Sequence, residues 1–157
     1  MSSCLSVVIP AFNEEATLVA VTQKILAVPH LHEVVIVDDC STDRTGDIAE
    51  ELAQRFPQVK VLHHRTNRGK TEALKTGFAH TAGDVVIVQD ADLEYDPSDI
   101  EHVIAPILAN EADVVYGSRF MQTWNPGAAR LFGYTAAETI GRPVTMLIVS
   151  ISRAICA

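Results

Sequence analysis

The chain has 157 residues, 48% of them hydrophobic and 20% charged, enough for one domain with a real core and unlike a disordered chain. Its formal net charge of −8 argues against the basic face a nucleic-acid binder needs, so no nucleic-acid partner is expected. No apolar run reaches the roughly 20 residues of a membrane-spanning helix, no secretory signal is visible, and the scattered cysteines Cys4, Cys40 and Cys156 show no metal-ligand spacing, so a cytoplasmic protein with free thiols is expected.

In chain order, Leu5–Ile9 reads as a strand closed by Pro10, which cannot continue a central ladder. Asn13 is a candidate N-cap for a helix over residues 14–28, whose stripe is Leu18, Val21, Ile25 and Leu26. Glu33–Val37 is a second strand ending on Asp38-Asp39. Ser41 or Thr42 would cap a helix over Asp43–Phe56 with Ile48, Ala49, Leu52 and Phe56 on its apolar face. Gln58–His63 is a third strand. The loop Arg65–Lys70 leads into a helix through Ala73, Leu74, Gly77 and Phe78 that stops at Gly83. Val85–Val88 is a short apolar run, the pattern of a strand buried on both faces. A helix over residues 98–110 and a strand over Asp113–Tyr116 precede Gly117-Ser118-Arg119-Phe120.

Strands alternating with helices at this spacing predict an α/β fold with a doubly wound, mainly parallel Rossmann-like sheet. Ligands of such sheets bind beyond the carboxyl ends of the strands. Pro10–Glu15, Asp38–Asp43, Asn67–Lys70 and Asp90–Asp96 all follow strand ends, so the four polar loops fall on one edge and point to a nucleotide-type ligand. The first strand–helix turn has no G-x-G-x-x-G. Asn67-Arg68-Gly69-Lys70-Thr71 lacks the earlier glycine of a phosphate-binding P-loop, because position 64 is His.

Asp90 and Asp92 alternate on an extended segment and can present two carboxylates to one side. From Asp90 to Glu101 stand six acids and no base. Crowding of that kind is tolerable around a divalent cation such as Mg²⁺ or Mn²⁺, which takes one or two protein carboxylates and completes its shell with water and phosphate. The same residues also read as a solvated acidic turn at a helix start. Lys70 and Arg119 are candidate phosphate partners, and Arg119 reads equally as a surface cation. Asp43 reads either as a site residue or as part of a first helical turn. His63 and His64 read as strand-end surface residues.

Val8-Ile9-Pro10-Ala11-Phe12-Asn13-Glu14-Glu15, Val37-Asp38-Asp39-x-Ser41-x-Asp43, Asn67-x-Gly69-Lys70, Gln89-Asp90-Ala91-Asp92 and Gly117-Ser118-Arg119-Phe120 closely resemble family 2 glycosyltransferases. These are inverting nucleotide-sugar enzymes with the GT-A fold, and the order is most similar to polyprenyl-phosphate (dolichyl-phosphate-type) mannose or glucose synthases. The resemblance implies that Pro10, Ala11, Asn13 and Glu14 or Glu15 line a base-and-ribose pocket. It implies that Asp39, helped by Asp38, binds the nucleobase or ribose, and that Asp90 lies by the ribose. Asp92 would be catalytic as the metal ligand between the phosphates, Glu94 would complete the metal shell, and Lys70 and Arg119 would meet phosphate charge. The donor implied is a UDP- or GDP-linked sugar, and the acceptor a lipid phosphate reached at the inner membrane surface.

The resemblance covers residues 5–120 and then breaks. Residues 1–120 hold nine Lys+Arg against nineteen Asp+Glu, whereas 121–157 hold three against one, which sets a candidate boundary near Met121. Over residues 123–148 the chain is similar to a fragment of a PAS sensor domain, through Trp124-Asn125, Ala128-Ala129, Leu131-Phe132-Gly133-Tyr134, Glu138 and Gly141-Arg142-Pro143. Residues 126–133 and 136–140 read as short helical patterns in a tail too short to be an independent sensor. Three functions follow: a metal-dependent sugar transferase, a donor-binding module without turnover, or a sensory protein led by the tail.

Overall fold

The computed structural model describes residues 3–93, 95–120 and 143–148, with side chains described through Val115. Its elements are β1 (Leu5–Ala11), α1 (Leu18–Leu26), β2 (Leu31–Asp38), α2 (Thr45–Arg55), β3 (Val59–His63), α3 (Lys70–Ala79), β4 (Val85–Val88), α4 (Ile100–Leu108), β5 (Val115–Phe120) and β6 (Pro143–Ile148). Four strands pair in parallel in the order β3-β2-β1-β4. The chain therefore winds outward from β1 to β3, then crosses back to add β4 on the other side of β1. Strand order reverses between β1 and β4, and an open α/β sheet offers its ligand crevice at such a reversal.

Period-two alternation sorts the strand side chains onto two faces. Leu5, Val7 and Ile9 of β1, with Val34, Ile36, Val85 and Ile87, pack against Leu18, Val21 and Ile25 of α1, Ala49 and Leu52 of α2, and Ile100 and Ile104 of α4. Val8, Val35, Val37 and Val86 turn the other way onto Ala73 of α3, with Leu62, Leu74 and Phe78 beside them. Helices cover both faces, as the apolar runs predict.

β5 departs from expectation. It runs to Phe120 and pairs antiparallel with β6 in a separate two-stranded sheet, so it does not extend the parallel sheet. Gly117–Phe120, expected after the strand, lie within it. The apolar run at Met146–Ile148 is part of β6, while the helical patterns expected at 126–133 and 136–140 lie outside the described residues.

α3 approaches the sheet closely because position 77 is glycine. A Cβ there would run into the Val8 side chain and stand 3.3 Å from Val37. Alanine in a helix interior gains up to about 1 kcal/mol over glycine, but overpacking a tight core costs about 1–3 kcal/mol. Gly77→Ala is therefore expected to lower stability by about 1–2 kcal/mol, read as a lower midpoint in denaturant melts. An increase in stability would contradict the tight α3–sheet contact.

Candidate functional site

A cavity of about 190 Å³ opens at the strand-order reversal. The end of β1 and its loop supply Pro10, Ala11, Phe12 and Glu14; the end of β2 supplies Asp39; the first turn of α3 supplies Lys70 and Ala73; and the loop after β4 supplies Asp90, Ala91 and Asp92. Three carboxylates beyond Glu14's and one ammonium thus converge from four segments that are distant in sequence.

The first two loops are knitted together by side chains that accept from the opposite backbone. The N–H groups of Asn13, Glu14 and Glu15 donate to Ser41 Oγ (3.0 Å), Thr45 Oγ1 (2.7 Å) and Asp43 Oδ2 (3.2 Å). In return, the N–H of Thr42 donates to Asn13 Oδ1 (2.8 Å) and that of Arg44 to Glu15 Oε2 (3.0 Å). The capping groups expected at Asn13, Ser41 and Thr42 are therefore spent across the joint. Asn13 stands at φ 56, outside the extended conformation of an N-cap, and α1 begins only at Leu18. Asp43 also accepts the N–H of Thr45 at 2.9 Å; burial alone would raise its pKa, and the bonds from Thr45 and Glu15 outweigh that and hold the carboxyl below its ordinary value.

Asp39 is 3% exposed, and a buried carboxylate is stable only if its lone pairs are filled. The N–H of Arg68 reaches Oδ1 at 2.9 Å, that of Gly69 reaches Oδ2 at 2.6 Å, and His64 Nδ1 lies 2.5 Å from Oδ1. Desolvation by itself would raise the Asp39 pKa; the Arg68 N–H, the His64 ring and the Gly69 N–H together hold it below the ordinary value. His64 Nε2 bonds Thr76 Oγ1 at 2.9 Å, so the imidazole spans from Asp39 to α3. Gly69, at φ 84, takes the backbone conformation that lets its N–H turn to Asp39.

Lys70 Nζ lies 2.7 Å from Asp90, placing a cation against one member of the Asp90/Asp92 pair. Asp92 is exposed along the same cavity. The arrangement offers anchored carboxylates for polar hydroxyl or amide groups, and a lysine at a helix start suited to phosphate oxygens.

The family model described as Glycosyl transferase family 2 matches residues 6–144. The chain belongs to glycosyltransferase family 2. The dolichol-phosphate mannosyltransferase of Pyrococcus furiosus is 39% identical over 120 residues, covering 75% of this chain and 34% of the relative. The solved mannosyltransferase PcManGT of Pyrobaculum calidifontis, in complex with GDP-Man and Mn²⁺, has a TM-score of 0.56 and 28% identity over 63% of this chain and 30% of its own. The glucosyl-3-phosphoglycerate synthase of Mycobacterium tuberculosis, in complex with Mn²⁺, UDP-glucose and phosphoglyceric acid, has a TM-score of 0.58 and 31% identity over 69% of this chain and 41% of its own. The parallel sheet and its helices match the GT-A fold of these structures. The chain spans about a third of the length of the curated relatives it matches.

Of the residues this glycosyltransferase family implies, Pro10, Ala11, Glu14, Asp39, Lys70, Asp90 and Asp92 meet at one cavity. Asn13 and Glu15 hold the loop joint instead. Asp38 is buried and outside the cavity lining, with Oδ1 accepting the N–H of Ser41 at 3.2 Å and Oδ2 3.1 Å from His63 Nδ1. Glu94 and the Arg119 side chain lie outside the described residues. Phe12, 46% exposed on the cavity wall, was not singled out, although an aromatic directly after a strand end in a polar loop was a visible signal. The surface reading of His64 is corrected: its side chain is 6% exposed and both ring nitrogens are engaged.

His63 is half-exposed and bridges Asp38 and Glu50, the latter at 2.8 Å. Burial alone would lower its pKa, but the bonds and charges of Glu50 and Asp38 raise it above the ordinary value. A pKa raised by folding gives stability that is complete below the unfolded value of about 6.5 and is lost as pH rises through the folded value. The melting-temperature gap between wild type and His63→Gln is thus expected to be widest on the acid side of neutrality and to close in mild alkali. A gap that widened with pH would refute the assignment.

Proposed function

We propose that residues 1–120 form the donor half of a metal-dependent, inverting glycosyltransferase that takes a UDP- or GDP-linked hexose, and that the acceptor is a polyprenyl phosphate. Residues 121–157 would then be a tail outside the donor half. The observation that carries the reading is the convergence of Asp39, Lys70, Asp90 and Asp92 on the cavity at the strand-order reversal. Relatives support its parts: one is named for a dolichol-phosphate acceptor, and two solved structures hold a nucleotide sugar with Mn²⁺.

The residues have distinct tasks. Asp39 is buried and held ionised by its donors, so it suits a nucleobase or ribose donor group, with Pro10, Ala11 and Phe12 forming the less polar wall. Asp90 fits the ribose hydroxyls, with Lys70 balancing its charge. Lys70 and the N-terminal turn of α3 face the diphosphate, where cationic groups stabilise the charge that grows as the nucleoside diphosphate departs.

The site also fits a divalent ion. Asp92 is an exposed carboxylate on the cavity wall, beside Asp90. Mg²⁺ or Mn²⁺ needs only one or two such protein carboxylates and draws its other ligands from water and phosphate. Asp92, with Glu94, would hold the ion, and when bound it would supply Lewis-acid neutralisation of the leaving diphosphate.

In the transfer, an acceptor oxygen forms a bond to the anomeric carbon as that carbon's bond to the β-phosphate oxygen breaks, inverting the centre. A phosphate acceptor attacks through its own oxyanion and needs no protein base, whereas a hydroxyl acceptor would need one. Among the described residues no helix is long and apolar enough to cross a membrane.

Calorimetric titration of UDP, GDP and their sugar conjugates, with and without Mn²⁺, tests this reading. Wild type is expected to bind one nucleotide class more tightly with Mn²⁺, and Asp92→Ala to lose about tenfold or more of the Mn²⁺-dependent affinity, about 1.4 kcal/mol. Absence of nucleotide binding in the wild type, or an unchanged Mn²⁺ effect in Asp92→Ala, would overturn it.

A further inference from the structure

We infer that Gln89 is a positioning residue for the acidic loop, clasping both of its ends so that Asp90 and Asp92 are presented at the cavity together. The inference rests on the donor-site reading above and concerns how that site is held.

Gln89 is 2% exposed and among the largest fully buried side chains. A buried amide is costly unless its donors find acceptors. Its Nε2 donates to the carbonyl of Asp90 and to the carbonyl of Tyr95, each at 3.2 Å. These two carbonyls bracket the Asp90–Tyr95 turn, so a single primary amide closes it with both of its N–H groups. The Gln89 backbone is fixed in turn, because its N–H donates to Val8 O at 3.0 Å and continues the β1–β4 ladder by one step. Rigidity therefore passes from the central strand through one side chain to the loop.

The turn needs such a tie. Leu93 within it stands at φ 59, a left-handed conformation that a branched-chain residue adopts only when its surroundings impose it. Leu93 is also 38% exposed, so burial of its own side chain does not impose it. Asp92 directly precedes Leu93 in that turn. Methionine at 89 would match glutamine in length and burial but would strip the donors from both carbonyls. Glutamate would set carboxylate oxygens against them.

Gln89→Met and Gln89→Glu are compared with wild type in two measurements, and both variants are read so that a folding failure of one leaves the other to decide. In hydrogen exchange without any ligand, the amides of residues 90–95 are expected to exchange faster while those of β1 and β2 keep wild-type rates. In calorimetry with UDP and GDP, nucleotide affinity without metal is expected to fall by less than the Mn²⁺ enhancement does, because Lys70 also holds Asp90. The enhancement by Mn²⁺ is expected to fall by about tenfold or more, the scale on which partners that orient metal ligands act. A general loss of stability would lower both affinities alike.

Unchanged exchange in the loop, or faster exchange with the Mn²⁺ enhancement intact, would overturn the inference. Absence of any Mn²⁺ enhancement in the wild type would instead overturn the donor-site reading. The exchange rates alone would then decide whether Gln89 holds the loop.

Discussion

The site depends on a buried negative charge and the donors gathered around it. Asp39 follows β2, its N–H donates to Ala11 O at the end of β1, and its carboxylate receives two backbone N–H groups from the loop before α3 and the ring of His64 after β3. One residue thereby ties three strand ends and a helix start. A carboxylate left unpaired at that depth would cost several kcal/mol, so the loop carrying Arg68, Gly69 and Lys70 is required to close over it. Lys70 reaches Asp90 because that loop is closed.

The opposite end of the sheet is tied by the same logic with different chemistry. Glu33 of β2 is 2% exposed; Ser6 Oγ donates to it at 2.7 Å, the Ala82 N–H reaches the same oxygen, and the Lys60 ammonium lies against the other. Desolvation would raise the Glu33 pKa, and Lys60, Ser6 and the Ala82 N–H outweigh it. Gly83 closes in beside this network, where a Cβ would stand 2.5 Å from Cys4 O. Around Glu33 the N-terminal edge is thus filled by its own side chains, while a second cavity of about 400 Å³ opens farther along that edge beside Cys4, Asp84 and Val85.

Much of this was legible in the sequence. The unbroken apolar run at Val85–Val88 marked a strand buried on both faces, because only helices on both sides of a parallel sheet make such a run stable, and Leu5–Ile9 and Glu33–Val37 read as strands by propensity. Their polar sequels marked the ligand edge. Less legible were groups whose partners lie far along the chain. His64 looked unpartnered because Asp39 and Thr76 are 25 and 12 residues away. Asn13 and Ser41 looked like helix caps because capping is the local use of those side chains, but packing α1 against α2 brought two loops close enough to exchange those bonds instead.

The sequence by itself determined which segments are strands and helices, which faces of them are apolar, and that acids, amides and Lys70 follow strand ends. Those properties are local: they follow from periodicity, propensity and the order of residues along the chain. Only the tertiary structure decided that β4 lies beside β1 and not beyond β3, that β5 leaves the sheet to pair with β6, and which polar groups reach the cavity. Of neighbouring residues, Glu14 lines it while Glu15 is spent on Arg44, and Asp39 lines it while Asp38 is spent on Ser41 and His63. That division is set by strand pairing and by the direction of each loop once its backbone donors are satisfied, and both depend on contacts between residues remote in sequence.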